Sequence, residues 1–581
     1  MNRIEIDRDA CTSCQTCYDA CFVDVYRWDA QDDQPVVAYL EDCVGCNKCE
    51  LECPAECIKV VTGWGGKANK GGGNIVFMDG EEIDRVLDFH VHNVGDFLED
   101  QEFLLDFACE TRRDLERLES WGVHIYRDDA GEPKYVRWLP EHPWRLAVLD
   151  QDITLNMAAH ARKLGVRIQN RVEIVDLLKD GEHVCGAIGF GMVDGACVLV
   201  EAGAVVLANG NQCFKLMPRW SSAGGEGIAA AYRAGAAMRG AEFGNFINWV
   251  FADTKEVCQG AEDCMYNGKG ENISRRVRPT LESDVHSKEV VEWWREMKAG
   301  NGPIVANMIE NYVNNEIVPA FHEDALAVRP VSMKFWGLTI GKAMAGATVQ
   351  GPMQSVMPGL NAELAPVKVD HQMATTVPGL FAIGDTSYAG TCLAGAVPAP
   401  PGRMRGSGLG FATYSGVRCA PAAVAAARAA SDRPDAAQAE ALKARVFAPL
   451  GRSGMGAPEM VRAVQDVMAP VPYSIYKSAD RMNEALGKVL ALKEQVPRLA
   501  AKDPHYLAAC HVAESMVLGA EMFYRASLAR EETRGWHIRE DFPERDDANW
   551  LKWIELRDEG GEMVLSTQDV PIAGYPIKPG D

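Results

Sequence analysis

A chain of 581 residues predicts about four domains by the length prior of ~150 residues each, and it is long enough to bury most of its apolar surface. Its net charge of −23, from 59 basic and 82 acidic residues, would be repelled by nucleic acid and by an anionic membrane, so neither is expected as a main partner. No apolar run approaches the ~20 residues of a membrane span, and MNRIEIDRDACTSC has neither a basic n-region nor an apolar h-region, so a cytoplasmic protein is expected.

The first 62 residues carry eight cysteines in two copies of one spacing: Cys11-x2-Cys14-x2-Cys17-x3-Cys21 and Cys43-x2-Cys46-x2-Cys49-x3-Cys53, the second followed by Pro54. A 4Fe-4S cluster needs four thiolates at tetrahedral corners, and in this arrangement three come from one run and the fourth from the other. Cys11, Cys14, Cys17 and Cys53 are therefore assigned to one cluster, and Cys43, Cys46, Cys49 and Cys21 to the other. A structural zinc site would need only four ligands at wider spacing, and a disulfide framework is disfavoured in a long chain without an export signal. Phe22 follows Cys21 where the usual run has proline, and Cys57, a ninth thiol, is read as a small buried residue rather than a ligand. Residues 1–62 resemble a bacterial two-cluster ferredoxin, with IEIDRDACTSC as the entering strand and ECIKVV as the closing one.

Residues 63–80, GWGGKANKGGGNIVFMDG, free the backbone for close approach to another group. They do not make a dinucleotide-binding fingerprint, which needs a helix after the glycines and an acidic residue ~20 positions on. The pattern from Asp84 to Gly122 is helical, with Phe97, Phe103, Leu104, Phe107, Leu115 and Leu118 at helical intervals and Gly122 as the stop. A second helix is expected from Ile153 to Leu164. VRIQNRVEIVDLL, VCGAIGFGMV and ACVLVEAGAVVLANG then read as short strands of a mixed α/β region.

The succession LESWGVHIYRDDAGEPKYV, GAVVLANGN, GGEGIAAAYRAGAAMRGAEF, TTVPGLFAIGDTSYAG, GRMRGSGLGFATYSG and LAREETRGWHIREDFPERDDANW resembles the flavoprotein subunits of fumarate reductase and succinate dehydrogenase. It resembles still more the alpha subunit of adenylylsulfate reductase in the same superfamily. The likeness covers about Gly71 to Pro579. It implies an extended FAD, with Gly384 and Asp385 near the ribitol and Gly406, Ser407, Gly408 and Leu409 near the flavin ring. It also implies that Ala208, Asn209 and Gly210 form the turn passing the cofactor, that Val172 flanks the adenine, and that Gly72, Gly73 and Asn74 form the glycine-rich turn beside the flavin. Arg403, with Arg405 beside it, holds the place of an arginine that clamps an anionic substrate, a task suited to a fixed fork of donors.

Two departures stand out. The β-α-β unit that should open the flavoprotein and seat the FAD diphosphate on a helix N-terminus is absent, and the ferredoxin stands in its place. The catalytic histidine of the adenylylsulfate reductases has no counterpart in ATVQGPMQSVMPGLNAELAPVKVD, and His371 falls outside that turn.

The expected architecture is an α+β ferredoxin-like domain (1–62), an α/β FAD-binding core of truncated Rossmann type (63–244 and 366–432), a capping domain (245–365), a helical domain (433–535) and a tail packing on the body (536–581). In the capping region Trp293, Trp294, Asn307, Tyr312 and Trp336 are read as packing residues. The expected function is an iron-sulfur flavoprotein oxidoreductase passing electrons between two 4Fe-4S clusters and FAD, with an external electron carrier, a small anionic substrate and a companion subunit that supplies the missing unit. The alternative is a noncatalytic electron-transfer or scaffold subunit of a larger redox complex.

Overall fold

The computed structural model describes residues 3–21, 25–40, 43, 48–61, 73–76, 80–93, 95–136, 145–149, 153–216, 223–245, 247–253, 258, 261, 264–277, 287–314, 351–360, 364, 366–388, 407–431 and 433–580. The N-terminal segment closes on itself. Arg3–Ile6 pairs antiparallel with Ile58–Val61, Ile6 opposite Ile58, and a hairpin of Tyr26–Asp29 with Gln34–Val37 covers the other side. The two expected ferredoxin strands are thus neighbours, and Val25, Tyr26, Ile58 and Val60 form a small core around the cysteines.

The helical pattern from Asp84 to Gly122 is realised as two helices, Gly80–Asn93 and Gln101–Ser120. Gly95 and the left-handed Asp96 (φ 52°) and Phe97 (φ 66°) break the pattern, a conformation that costs a side-chain-bearing residue roughly 1–2 kcal/mol and does not propagate a helix. The Asp100 carboxylate then accepts from the Phe103 N–H at 3.1 Å and starts the second helix. Phe103, Leu104, Phe107, Leu115 and Leu118 face inward, and the helix stops before Gly122 at φ 92°.

The strands expected after Gly165 form an antiparallel meander of Val172–Asp180, His183–Gly191 and Cys197–Glu201. Val205–Leu207 instead pairs in parallel with Leu380–Ala382, 175 positions later in register. A four-stranded antiparallel sheet of Ile247–Phe251, Met353–Leu360, Val305–Asn307 and Met265–Tyr266 builds the region between them. There the Trp293 indole N–H donates to the Val356 carbonyl at 3.1 Å. Tyr312 and Trp336 have side chains outside the described residues.

Residues 536–581 are more than a packed tail. Lys552–Glu559 and Glu562–Asp569 make a hairpin that enters one five-stranded sheet with Met238–Arg239, Val367–Lys368 and Ser387–Tyr388. Arg239 bonds Glu555 across that sheet at 2.6 Å with both side chains buried. The helices Ala457–Met468 and Ala479–Gln495 pack on Pro504–Ala529, a 26-residue helix buried on most of its faces. Among the described residues no helix is long and apolar enough to cross a membrane.

At the C-terminal end of that helix sits a buried ion cluster. Arg530 bonds Glu242 at 3.0 Å and Glu532 at 2.7 Å, Arg534 bonds Glu532 at 2.7 Å, and none of the four side chains meets solvent. Arg530 also donates to the Lys552 carbonyl at 2.6 Å, tying the hairpin to the helix. Removing one partner of a buried ion pair costs about 3–5 kcal/mol, because it strands the other charge. Glu532→Ala is therefore expected to lower the stability of the helical region by about that amount, read from the denaturant midpoint of its circular dichroism; a change below ~1 kcal/mol would show that the cluster is not stabilising.

Candidate cofactor sites

Cys17 lies on the short helix Thr16–Ala20 and Cys49 on Lys48–Leu51. One cavity is lined by Cys11, Cys14, Cys17 and Cys53, the four residues the spacing assigns to a single cluster, and Cys57 joins them. The Cys57 sulfur is 3.4 Å from that of Cys53. Burial, then repulsion from Cys53, push the Cys17 thiol up to about 11, so a set of thiolates here calls for a compensating positive charge such as bound iron supplies. Among the described residues no group of three or more His, Cys, Asp and Glu side chains is placed to hold a metal ion.

Of the second set, Cys21, Cys43 and Cys49 belong to the same small core, and Cys46 lies outside the described residues. The buried Tyr26 hydroxyl donates to the Cys49 sulfur at 3.1 Å and the Val25 N–H to the Cys21 sulfur at 3.3 Å. Nothing in the cysteine spacing pointed to Tyr26 or Cys57; the first sits one strand away and the second outside the repeat.

The parallel pair Val205–Leu207 and Leu380–Ala382 delivers two predicted turns to one edge, as parallel strands do. Ala208, Asn209 and Gly210 follow the first strand, with Gly210 at φ 79°. Gly384 and Asp385 follow the second in a 3-10 turn, with Gly384 at φ 57°. The Thr386 hydroxyl donates to the Gly210 carbonyl at 3.1 Å and joins the turns. The Gly384 N–H donates to the Ser415 hydroxyl at 2.9 Å, which brings in the helix Ser407–Ala429 and, at its start, Gly408 and Leu409. Gly73–Val76, with Asn74 opposite Ala147, lies against the same helix. Gly72, Arg403, Arg405 and Gly406 lie outside the described residues. Val172 begins the separate antiparallel meander.

Next to the Asn209 turn, Asn211 is fully buried, yet neither side-chain polar atom has a partner among the described residues. A buried amide of this kind costs free energy unless something bonds it, and a bound polar cofactor is one such partner. His371 bonds the helix-capping Asp100 at 2.6 Å and stacks on Phe103, 5.2 Å between ring centroids.

Two parallel strands ending in glycine turns tied to each other and to one helix are an arrangement of nucleotide-binding α/β folds. The model of the FAD binding domain matches residues 65–397 and that of the fumarate reductase flavoprotein C-terminal domain matches residues 462–581. The chain belongs to this FAD-binding family of fumarate reductase and succinate dehydrogenase flavoproteins, and it is a fumarate reductase-like oxidoreductase. It is 25% identical over 544 residues to the fumarate reductase flavoprotein subunit of Haemophilus influenzae, covering 87% of each chain. It is 23% identical to that of Escherichia coli, covering 88% of each. In fold it is similar to a quinol-fumarate reductase structure (TM-score 0.72, 20% identity, 88% of this chain and 92% of that one). A second likeness is to adenylylsulfate reductase of Archaeoglobus fulgidus (TM-score 0.68, 21% identity, 87% and 90%).

Gly384→Val puts a branched side chain where φ is 57°, a strain of roughly 1–2 kcal/mol, and disturbs the turn shared with Gly210. The expected result is a folded chain with less bound flavin, read from the fluorescence of flavin released on acid denaturation, per protein; full flavin content would remove this turn from the site.

Proposed function

We propose that the chain is an iron-sulfur flavoprotein oxidoreductase in which two 4Fe-4S clusters exchange electrons with FAD for the reduction or oxidation of a small anionic substrate. The observation that carries this reading is the cavity lined jointly by Cys11, Cys14, Cys17 and Cys53, from both cysteine runs. FAD, when bound, supplies the conversion between one-electron and two-electron transfer. The chain's own groups do the rest: eight thiolates hold the clusters, the Tyr26 hydroxyl bonds a ligand sulfur, Gly384 and Asp385 seat the ribitol, and Gly406, Ser407, Gly408 and Leu409 seat the flavin ring. Arg403, with Arg405 beside it, orients the substrate anion. The reducing chemistry favours a cytoplasmic place, and an external carrier delivers or removes electrons.

The ferredoxin segment is docked on the body in a way suited to such a relay. Glu50 bonds His505, Lys59 bonds Asp503, and the Tyr506 hydroxyl donates to the Glu56 carbonyl at 3.1 Å.

A companion subunit completes the dinucleotide-binding unit. Its support is the parallel pair itself. Parallel sheets are covered on both faces and rarely stop at two strands, yet among the described residues no further strand joins Val205–Leu207, and Val206 is 40% exposed. The same observation favours the second reading, a noncatalytic electron-transfer or scaffold subunit whose flavin site is complete only in a complex.

Anoxic purification with and without the neighbouring gene products, followed by iron and flavin assay, separates these. The expected yield is about eight irons per chain, with FAD at full occupancy when the companion is present. Cys17→Ala should drop iron to about four, while Cys57→Ala keeps about eight. Absence of flavin under either condition would leave the scaffold reading, and iron far below eight in the wild type would end the relay. Arg403→Ala is expected to lower turnover at least tenfold with both clusters intact; unchanged turnover removes its role.

A further inference from the structure

Tyr26 opens the strand Tyr26–Asp29, opposite Val37 in the N-terminal hairpin, and its side chain turns into the small core of the cysteine-bearing segment, where it is 1% exposed. A phenol buried in this way gains from its ring but needs a partner for its hydroxyl. The partner is a sulfur: the hydroxyl donates to Cys49 Sγ at 3.1 Å. Cys49 is itself buried, on the short helix Lys48–Leu51. A phenol keeps its proton until about pH 10, so at neutral pH it can only give this bond to a thiolate, never receive it.

The other cysteine set is bonded differently. The hydroxyls of Thr12 and Thr16 bond Cys14, but Cys14 is exposed, and a donor there stands where water would otherwise bond the sulfur. The Cys57 thiol faces the Cys53 sulfur at 3.4 Å, and a thiol is a weak donor. An O–H closed off from water acts in a low dielectric and counts for more. Reduction of a cluster adds one negative charge that its ligand sulfurs share, so a donor aimed at one of them holds the reduced form more strongly than the oxidised form.

We propose that Tyr26 sets the reduction potential of one cluster, that of Cys21, Cys43, Cys46 and Cys49, holding it above the value that the thiolates and their burial alone would give, and leaves the other cluster untouched. The inference rests on the two-cluster reading. Tyr26 is a positioning residue that acts through Cys49: one electron arrives from the external carrier, the O–H bond stays intact, and the ligand sulfur is held more firmly as it gains charge. The difference in potential between two clusters decides on which of them a single electron rests. Loss of the hydroxyl therefore moves that resting place toward the cluster of Cys11, Cys14, Cys17 and Cys53. The strand that carries Tyr26 pairs within the N-terminal segment, so the setting belongs to that segment.

The test uses the full chain, purified without oxygen with its clusters loaded, and follows each reduced cluster by electron paramagnetic resonance through a stepwise reductive titration at pH 7. Tyr26→Phe keeps the ring and removes the hydroxyl. Its expected effect is a three- to tenfold fall in the equilibrium constant for reducing one cluster, ~30–60 mV for a one-electron couple, with the other cluster unmoved and iron still at about eight per chain. A 3-fluorotyrosine placed at position 26 is a stronger donor of nearly the same shape and should shift the same cluster the opposite way, a reversal that a purely structural role does not produce. Single-cluster chains identify which cluster responds. In the Cys17→Ala chain, which retains the set containing Cys49, Tyr26→Phe should lower the remaining potential by the same amount; in the Cys43→Ala chain it should leave it unchanged. Potentials that stay put in both position-26 variants, or that move equally for both clusters, overturn the proposal and leave the two-cluster reading intact. Wild-type iron far below eight with no two-cluster signal overturns both.

Discussion

The structure depends on a cluster of charges that water never reaches. Arg530, Glu242, Glu532 and Arg534 have no exposed side-chain surface, and burying one such ion unpaired would cost several kcal/mol. Each charge is therefore answered by its neighbours, and the remaining donors go to main-chain carbonyls at Trp550 and Lys552. These bonds join the long helix, the 3-10 turn at Ala241–Phe243 and the C-terminal hairpin, so a sheet assembled from residues as distant as 238 and 565 has one enforced arrangement. Nearby, burial and the surrounding cations keep Lys477 and His537 well below their ordinary values, which limits the positive charge the interior must hold.

Local patterns carried much of this. The cysteine spacing grouped Cys11, Cys14, Cys17 and Cys53, and all four line one cavity. The turns at Gly210 and Gly384 were visible as glycines closing apolar runs, and the structure joins them through Thr386. Periodicity failed between Asn93 and Gln101, since an apolar stripe continues across a break whose cause is backbone conformation at Asp96 and Phe97. At the C-terminus the periodicity is silent: Lys552–Glu559 and Glu562–Asp569 read only as a tail packing on the body, and the strand the hairpin joins, Met238–Arg239, lies 316 to 318 positions upstream, a separation over which no local signal encodes pairing. Tyr26 escaped notice for a related reason: its significance comes from the Cys49 sulfur that faces it.

In the proposed relay, a flavin that takes single electrons and gives them up in pairs would draw on a donor in the same chain, and such a tether replaces a diffusional encounter by a contact at high effective concentration. Acidic groups on the ferredoxin side, Glu50 and Glu56, meet the start of the Pro504–Ala529 helix, the end where backbone N–H groups favour negative charge.

That helix has a further consequence. It is 26 residues long, about 39 Å at 1.5 Å per residue; its first turn carries the ferredoxin contacts and its last runs into Arg530. The cysteine-bearing segment therefore rests on one end of a helix whose other end is held by buried ion pairs, so a displacement of that segment is opposed by the stiffness of the helix as well as by its own contacts.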